Sequence, residues 1–238
     1  MTKTRWVLVG LVCLAAVAVG YAFLQGGSWE THMAAGVKAY QQRNYPEAEK
    51  QLVAALKEAE GFGPQDPRLA TTLDNLAELY RAQGKYTEAE SLYKRALSIR
   101  KKALGPAHPD VARSLNNLAL LYHSQGRYAG AEAESFYKRS LAIKEKALGS
   151  EHPAIALSLN NLAGLYQAQG KYTEAELLFK RALAINEKAL GPEDPLLALS
   201  LKNYAALLRK IGRGEEAEEM EARAKAIRAK HAKENPAK

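Results

Sequence analysis

The chain has 238 residues, a formal net charge of +8 at pH 7 and a single cysteine, Cys13. One cysteine excludes a disulfide within the chain. The basic balance favours an acidic partner. The basic residues alternate with acidic ones instead of forming long runs, which argues against nucleic acid as the partner.

An uncharged stretch of 19 residues, 6–24, follows Lys3 and Arg5 near the start of the chain. A bilayer is spanned by roughly 20 apolar residues, so the stretch predicts a transmembrane helix that acts as a signal anchor. The alternative is a cleaved signal peptide. We favour the anchor because the apolar character continues to Leu24. The positive-inside rule then predicts a cytoplasmic N-terminus, residues 1–5, and a single-pass protein whose remainder lies outside the cytoplasm, in the periplasm of a Gram-negative cell.

The rest of the chain divides into a short tether and five segments that each suit two helices. Glycines recur at intervals of 42, 44 and 42 residues, as Gly84, Gly126, Gly170 and Gly212. Such a period is typical of stacked helical hairpins. The predicted segments are the tether 25–28, a diverged hairpin 29–63, regular hairpins 66–105, 108–149 and 152–191, a capping hairpin 194–230, and a disordered tail 231–238.

The third hairpin has two residues more than its neighbours, near 129–134. Two extra residues inside a helix would rotate the following apolar stripe by about 200°. We therefore expect a longer turn at Ala129 and Gly130.

The repeated residues identify the type of hairpin. In one copy they are Asn117, Leu118, Ala119, Tyr122, Gly126, Tyr128, Ala133, Tyr137, Leu141, Ile143 and the ending at 146–149. This set resembles the tetratricopeptide repeat (TPR), and most of all the 42-residue variant of kinesin light chains. The resemblance implies an all-α fold, a TPR α-solenoid of about five helical hairpins, here preceded by one N-terminal transmembrane helix. It also implies a scaffold that binds an extended peptide along the first helices of the hairpins.

The resemblance places a set of polar residues on the concave, partner-binding face. They are Asn75, Glu78, Arg81, Arg113, Asn116, Asn117, His123, Asn160, Asn161, Gln167, Lys202, Asn203, Arg209 and Lys210. Asparagine amides both donate and accept hydrogen bonds, which suits a peptide backbone. The asparagines recur at the repeat period, so hydrogen bonds between hairpins explain them equally well.

Motifs for catalysis are absent from the sequence. It contains no glycine-rich phosphate loop, cysteine pair or His-Glu metal motif. His108 and His152 precede prolines in equivalent turns, where a turn role explains them better than metal binding. We predict no enzyme, no catalytic or metal-binding residue, no cofactor and no small-molecule substrate.

The function predicted from these features is a membrane-anchored scaffold for protein interactions. It would be an accessory subunit or assembly factor whose partners are subunits of a membrane complex or an extended peptide segment. The alternative is a soluble periplasmic peptide-binding or chaperone-like module, released by cleavage of a signal peptide.

Overall fold

The computed structural model describes residues 28–128 and 130–234, and in this part of the chain every regular element is an α-helix. Ten helices are present there. They are α1 Trp29–Gln41, α2 Tyr45–Gly61, α3 Pro67–Ala82, α4 Tyr86–Leu104, α5 Pro109–Ser124, α6 Ala131–Leu148, α7 Pro153–Ala168, α8 Tyr172–Leu190, α9 Pro195–Lys210 and α10 Gly214–Glu234. They form five hairpins, so the predicted all-α fold of repeated helical hairpins is confirmed.

The helices fall into two compact units, and the division lies inside α4 between Ile99 and Arg100. In the first unit, the core joins α1, α2 and α3 through Met33, Leu52 and Leu76. Trp29 secures the start of α1, because its indole Nε1 donates a 2.8 Å hydrogen bond to Thr72 Oγ1 on α3.

The core of the second unit is built from α5 to α10. The largest cluster of buried side chains includes Tyr137 of α6, Phe179 of α8 and Leu207 of α9. Small residues such as Ala163 and Ala205 are fully buried in it. Alanines at these positions allow the helices to approach closely, while the aromatic rings fill the space between them.

The first helix of four hairpins starts with the same local chemistry. Proline occupies the first helical position of α3, α5, α7 and α9, where its missing N–H is no loss. The residue before it accepts a hydrogen bond from a backbone N–H two positions further on. These capping residues are Asp66, His108, His152 and Asp194. The two histidines accept through Nδ1 at 3.1 Å, and therefore act as helix caps.

The turns inside the hairpins require a left-handed backbone. Gly84, Gly126, Gly170 and Gly212 have φ between 70° and 82°. In the first hairpin the corresponding residue is Arg43, with φ 58°, which makes it the one non-glycine residue with positive φ in the described part of the chain. A β-carbon makes this conformation costly, so the first hairpin carries local strain.

The two additional residues of the third hairpin lie in its connection. Helix α6 begins five residues after Gly126, whereas α4 begins two residues after Gly84, so the connection takes up the two additional residues and one more. Despite the longer connection, Ala133 is as deeply buried as Ala89. The packing register of α6 is therefore the same as in the other hairpins.

Two sequence predictions concern the ends of the chain. Helix α10 continues to Glu234, so residues 231–234 are helical and not part of a disordered tail. Ala232, Lys233 and Glu234 all favour helix, which explains the extension. Residues 235–238, the tether 25–27 and the cytoplasmic segment 1–5 lie outside the described residues.

The predicted localisation needs correction. None of the helices in 28–128 and 130–234 has both the length and the apolar character needed to cross a bilayer. The predicted span, residues 6–24, is itself outside the described residues. The structure thus contradicts the single-pass localisation with extracytoplasmic repeats, and we do not retain it.

Candidate functional site

The first helices of the hairpins in the second unit each present a stripe of partly exposed residues. On α7 the stripe contains Leu157, Asn161, Gly164 and Gln167, which are separated by four, three and three residues. This spacing keeps them on one helix face. The equivalent stripe on α9 contains Leu199, Asn203 and Ala206.

Most residues of the two stripes, together with part of α5, line an open groove of about 270 Å³. Its walls are Leu120 and His123 from α5, Asn160, Asn161, Gly164 and Gln167 from α7, Phe179 from α8, and Asn203 and Ala206 from α9. We call it the amide groove. Of the predicted partner-binding residues, His123, Asn160, Asn161, Gln167 and Asn203 meet in it.

Several asparagine amides already have partners in the protein. Asn161 Nδ2 donates a 3.1 Å hydrogen bond to Asn116 Oδ1, which links α7 to α5. Asn75, in the first unit, donates to the Thr71 carbonyl within α3 at 2.9 Å. These contacts are of the kind expected if the repeated asparagines stabilise the hairpins, although Asn161 also lines the groove.

His123 lines the groove with an uncharged imidazole ring. Burial lowers the pKa of its imidazole, and its ring lies edge-on to Tyr128 with the centroids 5.3 Å apart. At neutral pH it therefore contributes one N–H donor and one acceptor without a charge.

A second cavity adjoins the amide groove and shares Asn160 with it. It has a volume of about 120 Å³ and lies between the first turns of α7 and α9. Leu157, Leu196 and Leu199 form its rim and are 51%, 53% and 40% exposed. We call it the leucine pocket. This pocket was not predicted from the sequence. The signal for it is that Asn186 stands where the equivalent positions carry the cations Arg100 and Lys144.

Two predicted residues of the first unit, Glu78 and Arg81, belong to a partly buried network. Glu78 accepts hydrogen bonds from the hydroxyls of Tyr40 at 3.1 Å and Tyr93 at 2.9 Å. The guanidinium of Arg81 forms an ion pair with the same carboxylate. Burial would raise the pKa of Glu78, but Arg81 and the two tyrosines outweigh it and lower that pKa. These groups thus stabilise the first unit, and any contact of theirs with a partner stays a prediction.

The remaining predicted residues are dispersed. Arg113 pairs with Asp110 at 3.0 Å and Arg209 with Glu221 at 2.7 Å, both at the surface. Asn117 is half-buried, and Lys202 and Lys210 are exposed. A separate cleft at α9 and α10 is lined by Lys202, Glu221, Ala224, Lys225, Arg228 and Ala229.

The side chains of residues 28–128 and 130–234 offer no cluster of three His, Cys, Asp or Glu suited to a metal ion. The amide groove has neutral donors and acceptors, and the leucine pocket has an apolar rim. This arrangement suits the recognition of a polypeptide, with hydrogen bonds for its backbone and a recess for a side chain.

The paired helices, the turns closed by glycine and the stripes on the first helices define a tandem helical-repeat protein with an open groove. The sequence model of the tetratricopeptide repeat matches residues 31–102, 69–133, 130–188 and 156–230. The chain belongs to the tetratricopeptide repeat family.

Solved structures agree with this assignment. A kinesin light chain of Podosopora anserina with nearly identical TPR-like repeats is 30% identical, with a TM-score of 0.70 over 85% of this chain and 95% of that one. BtubC (BKLC) from P. vanneervenii is 26% identical, with a TM-score of 0.74 over 97% of this chain and 93% of that one. The resemblance to the kinesin light chain variant of the repeat is therefore confirmed.

A more distant structure shares the fold alone. A Rap protein solved with competence and sporulation factor is 20% identical, with a TM-score of 0.73 over 88% of this chain and 56% of the Rap chain. A comparison with curated proteins gave no match.

Proposed function

We propose that the chain is a protein-interaction scaffold that holds an extended segment of a partner protein in the amide groove. The observation that carries the proposal is the convergence of predicted binding residues from three separate helices on one groove. Family membership supports a scaffold, because tandem helical repeats present extended binding surfaces. The membrane complex predicted from the sequence is not part of the proposal.

The groove offers the hydrogen-bonding groups that an extended backbone needs. Asn161, Gln167 and Asn203 each carry an amide with donors and an acceptor. Since a peptide backbone alternates N–H and C=O groups, such amides hold it with little selection among side chains. The Rap protein, which was solved with competence and sporulation factor, adds support at the level of fold.

Gly164 provides a direct test because it lies in the wall of the groove. A β-carbon at this position would meet His123 Cε1 at 3.7 Å, an ordinary van der Waals contact. Gly164→Ala should therefore fold normally and stabilise α7 by about 0.5–1 kcal/mol. Gly164→Trp should keep the fold but fill the groove.

The measurement is affinity capture and cross-linking from a lysate of the native host, with the full chain as bait and partners identified by mass spectrometry. We expect Gly164→Ala to retain the partners of the wild type and Gly164→Trp to lose them. Thermal melting followed by circular dichroism checks that both variants are folded. Equal capture by a folded Gly164→Trp variant would contradict the proposal.

A further inference from the structure

The floor of the leucine pocket contains three buried polar side chains that converge on one atom. Asn160 Nδ2 and Asn186 Nδ2 donate to Ser200 Oγ at 2.7 and 3.0 Å. The three residues are only 6%, 3% and 1% exposed. We call them the amide triad.

The triad is not satisfied by the described residues. Asn160 Oδ1 and Asn186 Oδ1 are buried acceptors that find no hydrogen-bond donor among the described residues. Ser200 Oγ receives both amide donors, so its own proton is left to donate elsewhere. An unpaired buried polar group destabilises the folded chain, and a ligand that completes the set would relieve this penalty.

The neighbouring hairpins show what normally fills this position. Lys144 Nζ donates a 2.8 Å hydrogen bond to Ser158 Oγ, and Arg100 donates to Ser114 in the same way. Ser114, Ser158 and Ser200 are equivalent, as are Arg100, Lys144 and Asn186. Because Asn186 is shorter than lysine or arginine, it leaves the leucine pocket open above the triad.

The chemistry of the triad favours a neutral occupant over a cation. Burial lowers the pKa of Lys144 at the equivalent position, so this environment disfavours a charged group. An ammonium group has donors only, whereas the triad needs donors for two carbonyl oxygens and an acceptor for one hydroxyl proton. A primary carboxamide supplies two donors and one acceptor. Reversing either asparagine amide exchanges one donor for one acceptor, and a carboxamide still matches the set.

We propose that the leucine pocket binds a glutamine side chain, or another primary carboxamide on a short apolar stem, from the partner segment. Leu157, Leu196 and Leu199 cover the stem, and the triad pairs with the amide. The inference rests on the proposed function, since the shared residue Asn160 makes the pocket continuous with the amide groove.

The test uses small probes and therefore needs no identified partner. The full chain is labelled with ¹⁵N and titrated with N-acetyl-glutamine N′-methylamide, followed through the side-chain amide signals of Asn160 and Asn186. The norleucine and lysine analogues are matched probes. We expect the glutamine probe to shift both signals with a Kd on the order of 1 mM, given its size. The other two probes should bind about tenfold more weakly or not at all.

Two variants check the location. Asn186→Lys places in the pocket the side chain found at Lys144, and it should abolish the shift of Asn160. Leu199→Ala shortens the rim at an exposed position, so it should weaken the probe without changing the melting temperature. If Asn186→Lys fails to fold, Leu199→Ala carries the test alone.

Three outcomes would overturn the inference: equal shifts with the norleucine probe, tighter binding of the lysine probe, or no shift of the Asn160 and Asn186 signals with the glutamine probe. The probe titration and the capture by Gly164 variants fail independently. If the glutamine probe does not bind but Gly164→Trp loses the captured partners as expected, the proposed function stands and only this inference fails.

Discussion

Arg43 holds a backbone conformation that glycine holds in the later hairpins. Its φ of 58° compares with 76° at Gly84 and 70° at Gly126. A left-handed backbone costs a residue with a β-carbon roughly 1–2 kcal/mol, and the Arg43 side chain is exposed. The turn keeps this conformation because the hairpin on either side of it, α1 and α2, is fixed by packing on α3.

Arg43→Gly should therefore stabilise the first unit. We expect a gain of about 0.5–1 kcal/mol, because the relief of strain exceeds the extra chain entropy of glycine. Chemical denaturation followed by the fluorescence of Trp29 would measure it. Arg43→Ala is the matched control, since it removes the same side-chain contacts but keeps the β-carbon, and a gain as large for alanine would refute the explanation by strain.

At the scale of elements, a polar network links the second helix of one hairpin to the first helix and turn of the next. Each network contains a glutamate, a tyrosine hydroxyl that donates to it, and a cation just after the turn glycine. In the first unit this network consists of Glu49 with Tyr80 and Lys85. In the second unit there are two such networks, Glu134 with Tyr166 and Lys171, and Glu176 with Tyr204 and Arg213. In the last set the tyrosine comes one helical turn earlier than in the others, yet its hydroxyl still reaches the glutamate at 2.9 Å.

These networks should make the free energy of unfolding depend on pH in the acidic range. Lys180, Arg213 and the Tyr204 hydroxyl lower the pKa of Glu176 to about 2, from 4.5. A glutamate with a depressed folded pKa stabilises the protein above its unfolded value, and this contribution is lost as pH falls from about 4.5 through about 2. Glu176→Gln should thus lower the free energy of unfolding by about 1 kcal/mol at neutral pH, and by progressively less as the pH falls.

Urea denaturation across this pH range would measure the effect. Glu174→Gln, on the same helix and exposed, is the control and should leave the pH profile unchanged. Parallel profiles for the wild type and Glu176→Gln would show that the network contributes no stability.

At the scale of the whole molecule, the net charge of +8 reflects cations that are unevenly distributed between paired and unpaired positions. Many cations pair with carboxylates, but Lys202, Lys225 and Arg228 form no ion pair with any carboxylate of the described residues. All three line the cleft at α9 and α10. A cluster of unpaired cations raises the local concentration of an acidic partner, and salt screens that attraction.

The association rate with a captured partner should therefore fall as salt rises. Replacing Lys225 and Arg228 together by glutamine should reduce that dependence, while the dissociation rate changes little. Surface-based kinetics at a series of salt concentrations would test this. The paired Lys94 provides a control position, and Lys94→Gln should behave like the wild type.

The sequence predicted the fold well because its signals are local. The period of Gly84 and Gly126, and prolines such as Pro109, act within a few residues and recur, so they define the hairpins without knowledge of contacts. The groove was predicted in part, since His123 and Asn161 lie on the helix stripe that the family resemblance indicated. Asn186 and Ser200 were not recognised, because their importance arises from a contact between α8 and α9. The localisation was wrong because it depended on residues 6–24 alone.

The position shared by Arg100, Lys144 and Asn186 has a consequence for how such a protein diversifies. A long cationic side chain at this position fills the recess between neighbouring hairpins, whereas a short amide side chain leaves the recess open to a ligand. A single substitution can therefore open or close a recess in one hairpin while the backbone of the repeat stays the same. The selectivity for side chains of a partner can then change in one repeat while the other repeats keep theirs.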